Sequence, residues 1–114
     1  MKGTYWINHT YLDDPGMKPI FARYKEEYND DCKEFVNGTM AYDAMRWVMD
    51  AIKRAGKAEG TAIAKALEDT KGLKLTHATL TIDPMDHNPL NKAGVILKVD
   101  DNLKTQFYKK VEPK

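Results

Sequence analysis

Apolar residues recur every three or four positions in the middle of the chain, across residues 41–56. The recurring apolar positions are Ala41, Ala44, Met45, Val48, Ile52 and Ala55. This spacing places them on one face of an α-helix, while the charged residues fall mostly on other faces. Lys53 and Arg54 suit the negative end of a helix dipole, and Gly56 can adopt the left-handed conformation that ends a helix. The pattern predicts an amphipathic helix with a buried apolar face.

Two further segments show helical periodicity, residues 19–28 and residues 61–70. Pro19 suits the first turn of the earlier segment, because that turn needs no backbone N–H from it. Thr61 can cap the later segment, and Gly72 lies beyond its end. The sequence therefore predicts three consecutive amphipathic helices.

The segment Asn37-Gly38-Thr39 lies just ahead of the central apolar pattern. Asparagine and glycine favour turns, and threonine is a common residue at the N-cap of a helix. We therefore predict a turn here, with the central helix beginning after it.

Strands are predicted at both ends of the chain. Residues 4–8 are rich in aromatic and β-branched side chains, which is typical of a strand. Apolar and polar residues alternate at residues 77–82 and 95–99, which predicts an antiparallel hairpin of these two segments. The intervening residues 83–92 contain two prolines and several turn-forming residues, so they predict a structured loop. Residues 107–111 can add a further strand.

Composition and charge narrow the classes of function. The formal net charge is +1, so nothing electrostatic favours a nucleic-acid partner. Cys32 is the only cysteine, which excludes an internal disulfide. Its acidic neighbours, Asp31 and Glu34, disfavour a reactive thiolate.

Motifs for catalysis and metal binding are missing from the sequence. The histidines His9, His77 and His87 are too scattered for a metal-ligand spacing, and no paired cysteines accompany them. No G-x-S-x-G elbow, P-loop or G-x-G-x-x-G is present. Asp83, Asp86 and Asn88 carry side-chain oxygens, but their spacing lacks the glycine and the distant glutamate of a calcium-binding loop. They therefore predict turns stabilised by hydrogen bonds from the backbone to these oxygens. We therefore predict a protein that is not an enzyme and that has no metal or cofactor.

Several segments together resemble one protein family. Tyr42-Asp43-Ala44 followed by Asp50-Ala51-Ile52-Lys53-Arg54-Ala55-Gly56 resembles a helix of the substrate-binding proteins of branched-chain amino acid type ABC transporters, the Leu/Ile/Val-binding family of type I periplasmic binding proteins. The further matching segments are residues 3–11, 21–28, 64–71, 81–84, 87–89 and 95–99. The resemblance covers nearly the whole chain.

The resemblance implies an α/β fold that forms the C-terminal portion of a two-lobed protein. Residues 1–12 would be a crossing strand of one lobe, residues 17–72 the helices of the other lobe, and residues 73–114 a hairpin returning to the first lobe. The apolar faces of three helices also need a larger β-sheet to pack against than the predicted strands can form. We therefore expect a fragment, with apolar helix faces exposed to the rest of the protein or to a second copy.

The resemblance also implies a function. Proteins of this family are extracytoplasmic components of ABC transporters that close two lobes around an amino acid or a related small carboxylate and pass it to a membrane permease. The chain would then be periplasmic or extracellular, and a lipid anchor could attach the protein to the membrane. The residues that the resemblance places near a ligand are Asn8, His9, Asn37 and Tyr42.

Two alternatives remain open from the sequence. The first is a ligand-sensing regulatory or receptor domain of the same two-lobed fold. The second is an independent small α+β module that acts through protein contacts.

Overall fold

A computed structural model describes residues 2–113 of the chain, which contain three helices and five strands. In chain order these are β1 (Tyr5–Asn8), α1 (Lys18–Tyr28), α2 (Phe35–Ala55), α3 (Gly60–Glu68), β2 (Leu73–Lys74), β3 (Thr79–Leu80), β4 (Gly94–Val99) and β5 (Thr105–Val111). The predicted mixture of three helices, a short N-terminal strand and further antiparallel strands is confirmed.

The elements form two compact units. The first, which we call the sheet unit, consists of Met1–Thr39 and Ala93–Lys114. The second, the helix–hairpin unit, consists of Met40–Lys92. The assignment of segments to the lobes of a larger protein stays a prediction.

The sheet unit contains an antiparallel sheet with the strand order β1-β4-β5. Trp6 lies opposite Leu97 and Leu97 lies opposite Phe107 in its register. Leu97 is 1% exposed, whereas every residue of the edge strand β5 is exposed. The predicted further strand at the C-terminal end is thus confirmed as β5.

The predicted pairing of residues 77–82 with residues 95–99 is wrong. The observed hairpin joins β4 to β5, and β4 takes β1 as its second neighbour. The strand β3 pairs with β2 instead, and Ile82 forms an isolated bridge with Pro89. Alternation of apolar residues predicts that a strand has one buried face, but it does not select the partner of that strand.

A buried methionine organises the connection that follows β1. Met17 is 0% exposed, and its sulfur lies 3.6 Å from the hydroxyl oxygens of Thr10 and of Thr39. Pro19 lies in the first turn of α1, as predicted, and Asn29 ends the helix with a φ of 51°. No residue of α1 is buried, so this helix covers little of the unit.

The helix α2 begins at Phe35, so the predicted turn and cap at Asn37-Gly38-Thr39 are wrong. The Thr39 hydroxyl donates back to the carbonyl oxygens of Phe35 at 2.7 Å and Val36 at 3.2 Å. A threonine whose hydroxyl bonds to the preceding turn is tolerated inside a helix. Asn37, Gly38 and Thr39, whose residue types favour turns and caps, therefore lie inside α2.

The helix–hairpin unit has a small core. Its buried apolar residues are Ala51, Ala66 and Ile82. Gly56 follows the last residue of α2 directly with a φ of 68°, which confirms it as the residue that allows this helix to end. The helix α3 ends at Glu68 with Asp69 as its C-cap, so Gly72, with a φ of 66°, lies beyond the end as predicted and takes no part in the cap.

The predicted cap of α3 at Thr61 is wrong, because the helix begins one residue earlier, at Gly60. The cap position is occupied by Glu59 in an extended conformation. The Thr61 hydroxyl donates to the Glu59 carboxylate at 2.6 Å. Thr61 thus contacts the cap residue and does not act as the cap.

The predicted buried face of α2 is wrong, because none of its six residues is buried. Val48, Ile52 and Ala55 are half-buried, and Ala41, Ala44 and Met45 are exposed. The helix buries Thr39, Asp43 and Ala51 instead. Periodicity predicts that a helix has an apolar face, but it does not show which segments cover that face.

Among the exposed residues of α2, Tyr42, Met45 and Met49 are 47%, 62% and 51% exposed. We call these three residues the α2 stripe. The expected exposure of apolar helix surface agrees with these values, and what covers the stripe stays a prediction. No helix within residues 2–113 is long and apolar enough to cross a membrane.

Candidate functional site

The structure places two of the four predicted ligand-binding residues next to each other in the sheet unit. Asn8 ends β1 and is half-buried, and its side-chain oxygen accepts the backbone N–H of His9 at 2.8 Å. His9 itself is exposed. The Asn8 side-chain oxygen is thus engaged locally.

The other two predicted residues lie on α2. Asn37 is exposed on the helix and does not lie in a turn. Tyr42 is exposed, and the guanidinium carbon of Arg46 lies 5.7 Å from the centre of its ring.

A buried carboxylate that the sequence did not single out joins α2 to the β2–β3 turn. Asp43 is 6% exposed, and its oxygens accept the backbone N–H groups of Thr76 at 2.9 and 3.0 Å and of His77 at 3.2 Å. Arg46 lies 3.6 Å from the same carboxylate. The only signal of this role in the sequence is the position of Asp43 within the Tyr42-Asp43-Ala44 motif.

A hydrogen-bond cluster fixes the Trp47 side chain. The indole N–H donates to the Thr70 hydroxyl oxygen at 2.7 Å, and the Arg54 Nη2 group donates to the same oxygen at 2.9 Å. Thr70 donates in turn to the carbonyl oxygen of Ala66 at 3.3 Å. Arg54 also pairs with Asp50 at 2.7 Å. The orientation of the indole is therefore determined by partners on α2 and at the end of α3.

An apolar cleft opens beside Trp47, entirely within the helix–hairpin unit. We call it the Trp47 cleft. Its volume is about 250 Å³, and its apolar lining includes Met40, Ala44, Trp47, Leu75, Leu80 and Ile82. His77, His87 and Lys92 add polar groups to its wall. The lining comes from segments as far apart as residues 40 and 92, so periodicity along the chain could not reveal it.

The loop of residues 83–92 is ordered by Asx turns, which confirms the predicted structured loop. Asp83 accepts the backbone N–H of Met85 at 2.9 Å. Asp86 accepts the backbone N–H of Asn88 at 2.9 Å and its side-chain amide at 3.0 Å. These bonds from Asn88 lower the pKa of Asp86 below its ordinary value. Within residues 2–113, no group of three or more His, Cys, Asp and Glu side chains is placed to hold a metal ion.

The sheet unit carries a second apolar surface, a groove of about 800 Å³. Its apolar lining consists of Trp6, Tyr11, Leu12, Phe35, Leu97 and Phe107. The rings of Tyr11 and Phe107 lie 4.6 Å apart between centres.

Comparisons with known proteins identify the fold. No family model matches the sequence, and no curated protein sequence matches it. A solved structure does match, that of the leucine-binding protein LivK from Thermotoga maritima, with a TM-score of 0.74 and 23% sequence identity. The match covers 98% of this chain and 31% of the LivK chain. This chain has the fold of part of a type I periplasmic binding protein. It spans about a third of the chain that it matches.

Proposed function

We propose that the chain is part of an extracytoplasmic solute-binding protein of an ABC transporter. Its ligand would be an amino acid of the branched-chain type or a related small carboxylate, held by closure of two lobes. The observation that supports this proposal is the match of 98% of the chain to a protein described as leucine-binding. Because the match covers nearly the whole chain, it rests on the arrangement of its helices and strands together and not on a single motif.

Tyr42 is the ligand contact for which the structure offers most support. Its ring is exposed, and the neighbouring Arg46 guanidinium provides a cation beside that ring. A carboxylate binds well to a guanidinium, and an apolar side chain packs on an aromatic ring. Asn8, His9 and Asn37 are proposed as further contacts, with the Asn8 amide N–H groups as donors to a carboxylate.

The proposed partners follow from the same function. They are the solute, a membrane permease, and the polypeptide that covers the α2 stripe, which would be the remainder of the binding protein or a second copy. The proposed location is the periplasm or the cell exterior, where a lipid anchor would hold the protein at the membrane. No nucleic-acid partner is proposed.

A ligand-sensing receptor domain of the same two-lobed fold is the second candidate, because the resemblance that implies transport is shared by such domains. Permease and ATPase genes beside the gene for this protein would favour transport. A gene for a signalling protein in their place would favour sensing.

Calorimetric titration of the product of the complete natural reading frame tests the proposed function. The ligands are L-leucine, L-isoleucine, L-valine and L-phenylalanine, with D-leucine as the control for stereospecific recognition. We expect saturable binding of at least one L-amino acid, weakened about 5- to 50-fold by Tyr42→Ala, as for a well-packed aromatic contact. Tyr28→Ala, which changes an exposed tyrosine of α1, should leave the affinity unchanged.

Absence of binding to every L-amino acid at about 1 mM, where even a weak specific site is half-filled, would overturn the proposal that the ligand is an amino acid. Binding that is unaffected by Tyr42→Ala would remove Tyr42 from the site and leave the function in place.

A further inference from the structure

The size of the Trp47 cleft suits a molecule with one aromatic ring. Its volume is about 250 Å³. An apolar cavity of about 150 Å³ in another protein is large enough to bind benzene. The additional space admits a short substituent on the ring but not a second fused ring system with its own substituents.

Two walls of the cleft are held in place without a ligand. The indole of Trp47 is fixed through its hydrogen bond to Thr70, a residue that is 1% exposed. Asp43 holds the backbone of Thr76 and His77 at the end of the β2–β3 turn. A preformed wall costs little ordering entropy on binding, so even a small molecule can gain affinity there.

The charges at the cleft favour an anionic ligand. The Asp43 carboxylate is already engaged by two backbone N–H groups and by Arg46, so it has little capacity to hold an amine. His87 lies 3.5 Å from Glu68. Lys92 is half-buried, lines the cleft and takes part in no ion pair within residues 2–113. Its ammonium group is therefore the cation available to a ligand.

We propose that the Trp47 cleft binds a small aromatic carboxylate, with the ring against the Trp47 indole and the carboxylate at Lys92. Indole and imidazole groups in the lining can stack on an aromatic ring, and the Met40 sulfur makes favourable contacts with ring edges. This site differs from the proposed amino-acid contact at Tyr42 and does not depend on the proposed function.

Tryptophan fluorescence of the full chain carrying Trp6→Phe tests the proposal, because Trp47 is then the sole tryptophan. The probes are phenylacetate, 2-phenylethanol and phenethylamine, which share a ring and differ in charge. For about ten heavy atoms, we expect phenylacetate to bind with a Kd between about 0.1 and 5 mM. The alcohol should bind about fivefold more weakly than phenylacetate, and the amine more weakly still.

Paired variants in the same background locate the site. Ala44→Leu fills the cleft and should abolish the phenylacetate response, whereas Ala64→Leu on the exposed side of α3 should not change it. Lys92→Gln should remove the preference for phenylacetate over the alcohol, and Lys71→Gln, at an exposed position, should keep it. Circular dichroism of each variant shows that the chain still folds.

Three results would overturn the proposal: no saturable response to phenylacetate at about 10 mM, an unchanged response in Ala44→Leu, or tighter binding of the amine than of phenylacetate. Titration of L-leucine in parallel separates the two proposals. Leucine binding without a phenylacetate response supports only the solute-binding function, and the reverse result supports only the Trp47 cleft.

Discussion

Both carboxylate oxygens of Asp43 accept the same backbone N–H group, that of Thr76, at 3.0 and 2.9 Å. One of them also accepts the N–H of His77 at 3.2 Å. These N–H groups belong to the turn between β2 and β3, in which the Leu75 N–H donates to the carbonyl oxygen of Ala78 at 2.9 Å. A single buried side chain of α2 therefore fixes the turn that forms part of the Trp47 cleft.

We expect Asp43→Asn to lower the free energy of unfolding by about 1–3 kcal/mol, because the amide offers one acceptor in place of two and leaves a buried donor unpaired. Urea denaturation followed by circular dichroism measures the change. Asp69→Asn is the matched control, since Asp69 forms an exposed ion pair with Lys65 on α3 and should change stability by about 0.5 kcal/mol or less. Equal effects of the two substitutions would refute the role given to Asp43.

Thr70→Val should destabilise the chain by about 2–3 kcal/mol, because it removes the acceptor shared by the Trp47 indole and the Arg54 guanidinium at a buried position. The loss of this bond should also shift the Trp47 fluorescence emission. Thr79→Val tests the same chemical change at an exposed position of β3, where we expect an effect within about 0.5 kcal/mol. An unchanged emission maximum in Thr70→Val would show that the hydrogen bond does not hold the indole.

The existence of the helices could be predicted because their signals are local. Apolar spacing and Gly56 predicted where α2 ends, and Gly56 has the expected positive φ. The beginning of α2 could not be predicted in this way. Thr39 has the chemistry of a cap, but its hydroxyl bonds to the preceding turn and packs on the sulfur of Met17, far away in sequence.

Strand pairing and the candidate site depend on contacts between distant residues. The alternation in β4 does not determine which strands lie beside it, and the observed pairing of Trp6 with Leu97 joins chain segments about 90 residues apart. Asp43 reads in the sequence as a polar residue on the outer face of a helix. Its burial depends on the β2–β3 turn, which folds over it, and no local pattern shows this.

Substitution of two glycines by alanine should have opposite effects on stability. Gly56 has a φ of 68°, so Gly56→Ala forces a side chain into a left-handed conformation and should cost about 1 kcal/mol. Gly60 begins α3, and a Cβ there would have no atom within 4 Å, so Gly60→Ala should stabilise the chain by about 0.5 kcal/mol. Urea denaturation of both variants checks the signs. Stabilisation by Gly56→Ala would contradict the conformation assigned to the end of α2.

The pKa of Asp86 is lowered by hydrogen bonds from Asn88, first from its backbone N–H and then from its side chain. The ionised Asp86 carboxylate therefore stabilises the folded turn at pH values above the ordinary aspartate pKa of about 3.9. This stabilisation is lost as the pH falls through the lowered pKa of Asp86. Asn88→Ala removes the side-chain donor and keeps the backbone N–H, so the pKa should rise part of the way to its ordinary value. Carbon NMR titration of the carboxyl groups measures this change.

Glu59 is the internal reference for that titration. Its pKa is lowered by Lys57 and Thr61, so Asn88→Ala should leave it unchanged. An Asp86 pKa that does not rise in Asn88→Ala would show that the backbone bond alone sets it.

The α2 stripe should cause the isolated chain to associate. Tyr42, Met45 and Met49 are exposed on one helix, and burial of such apolar surface between molecules is favourable. Met45→Glu combined with Met49→Glu should therefore shift the molar mass in concentration-dependent light scattering towards the monomer, while changing the melting temperature little. Lys53→Glu, at an exposed polar position of α2, controls for the added negative charge. A wild-type chain that stays monomeric up to about 1 mM, with no binding of an apolar dye, would show that the stripe does not mediate association.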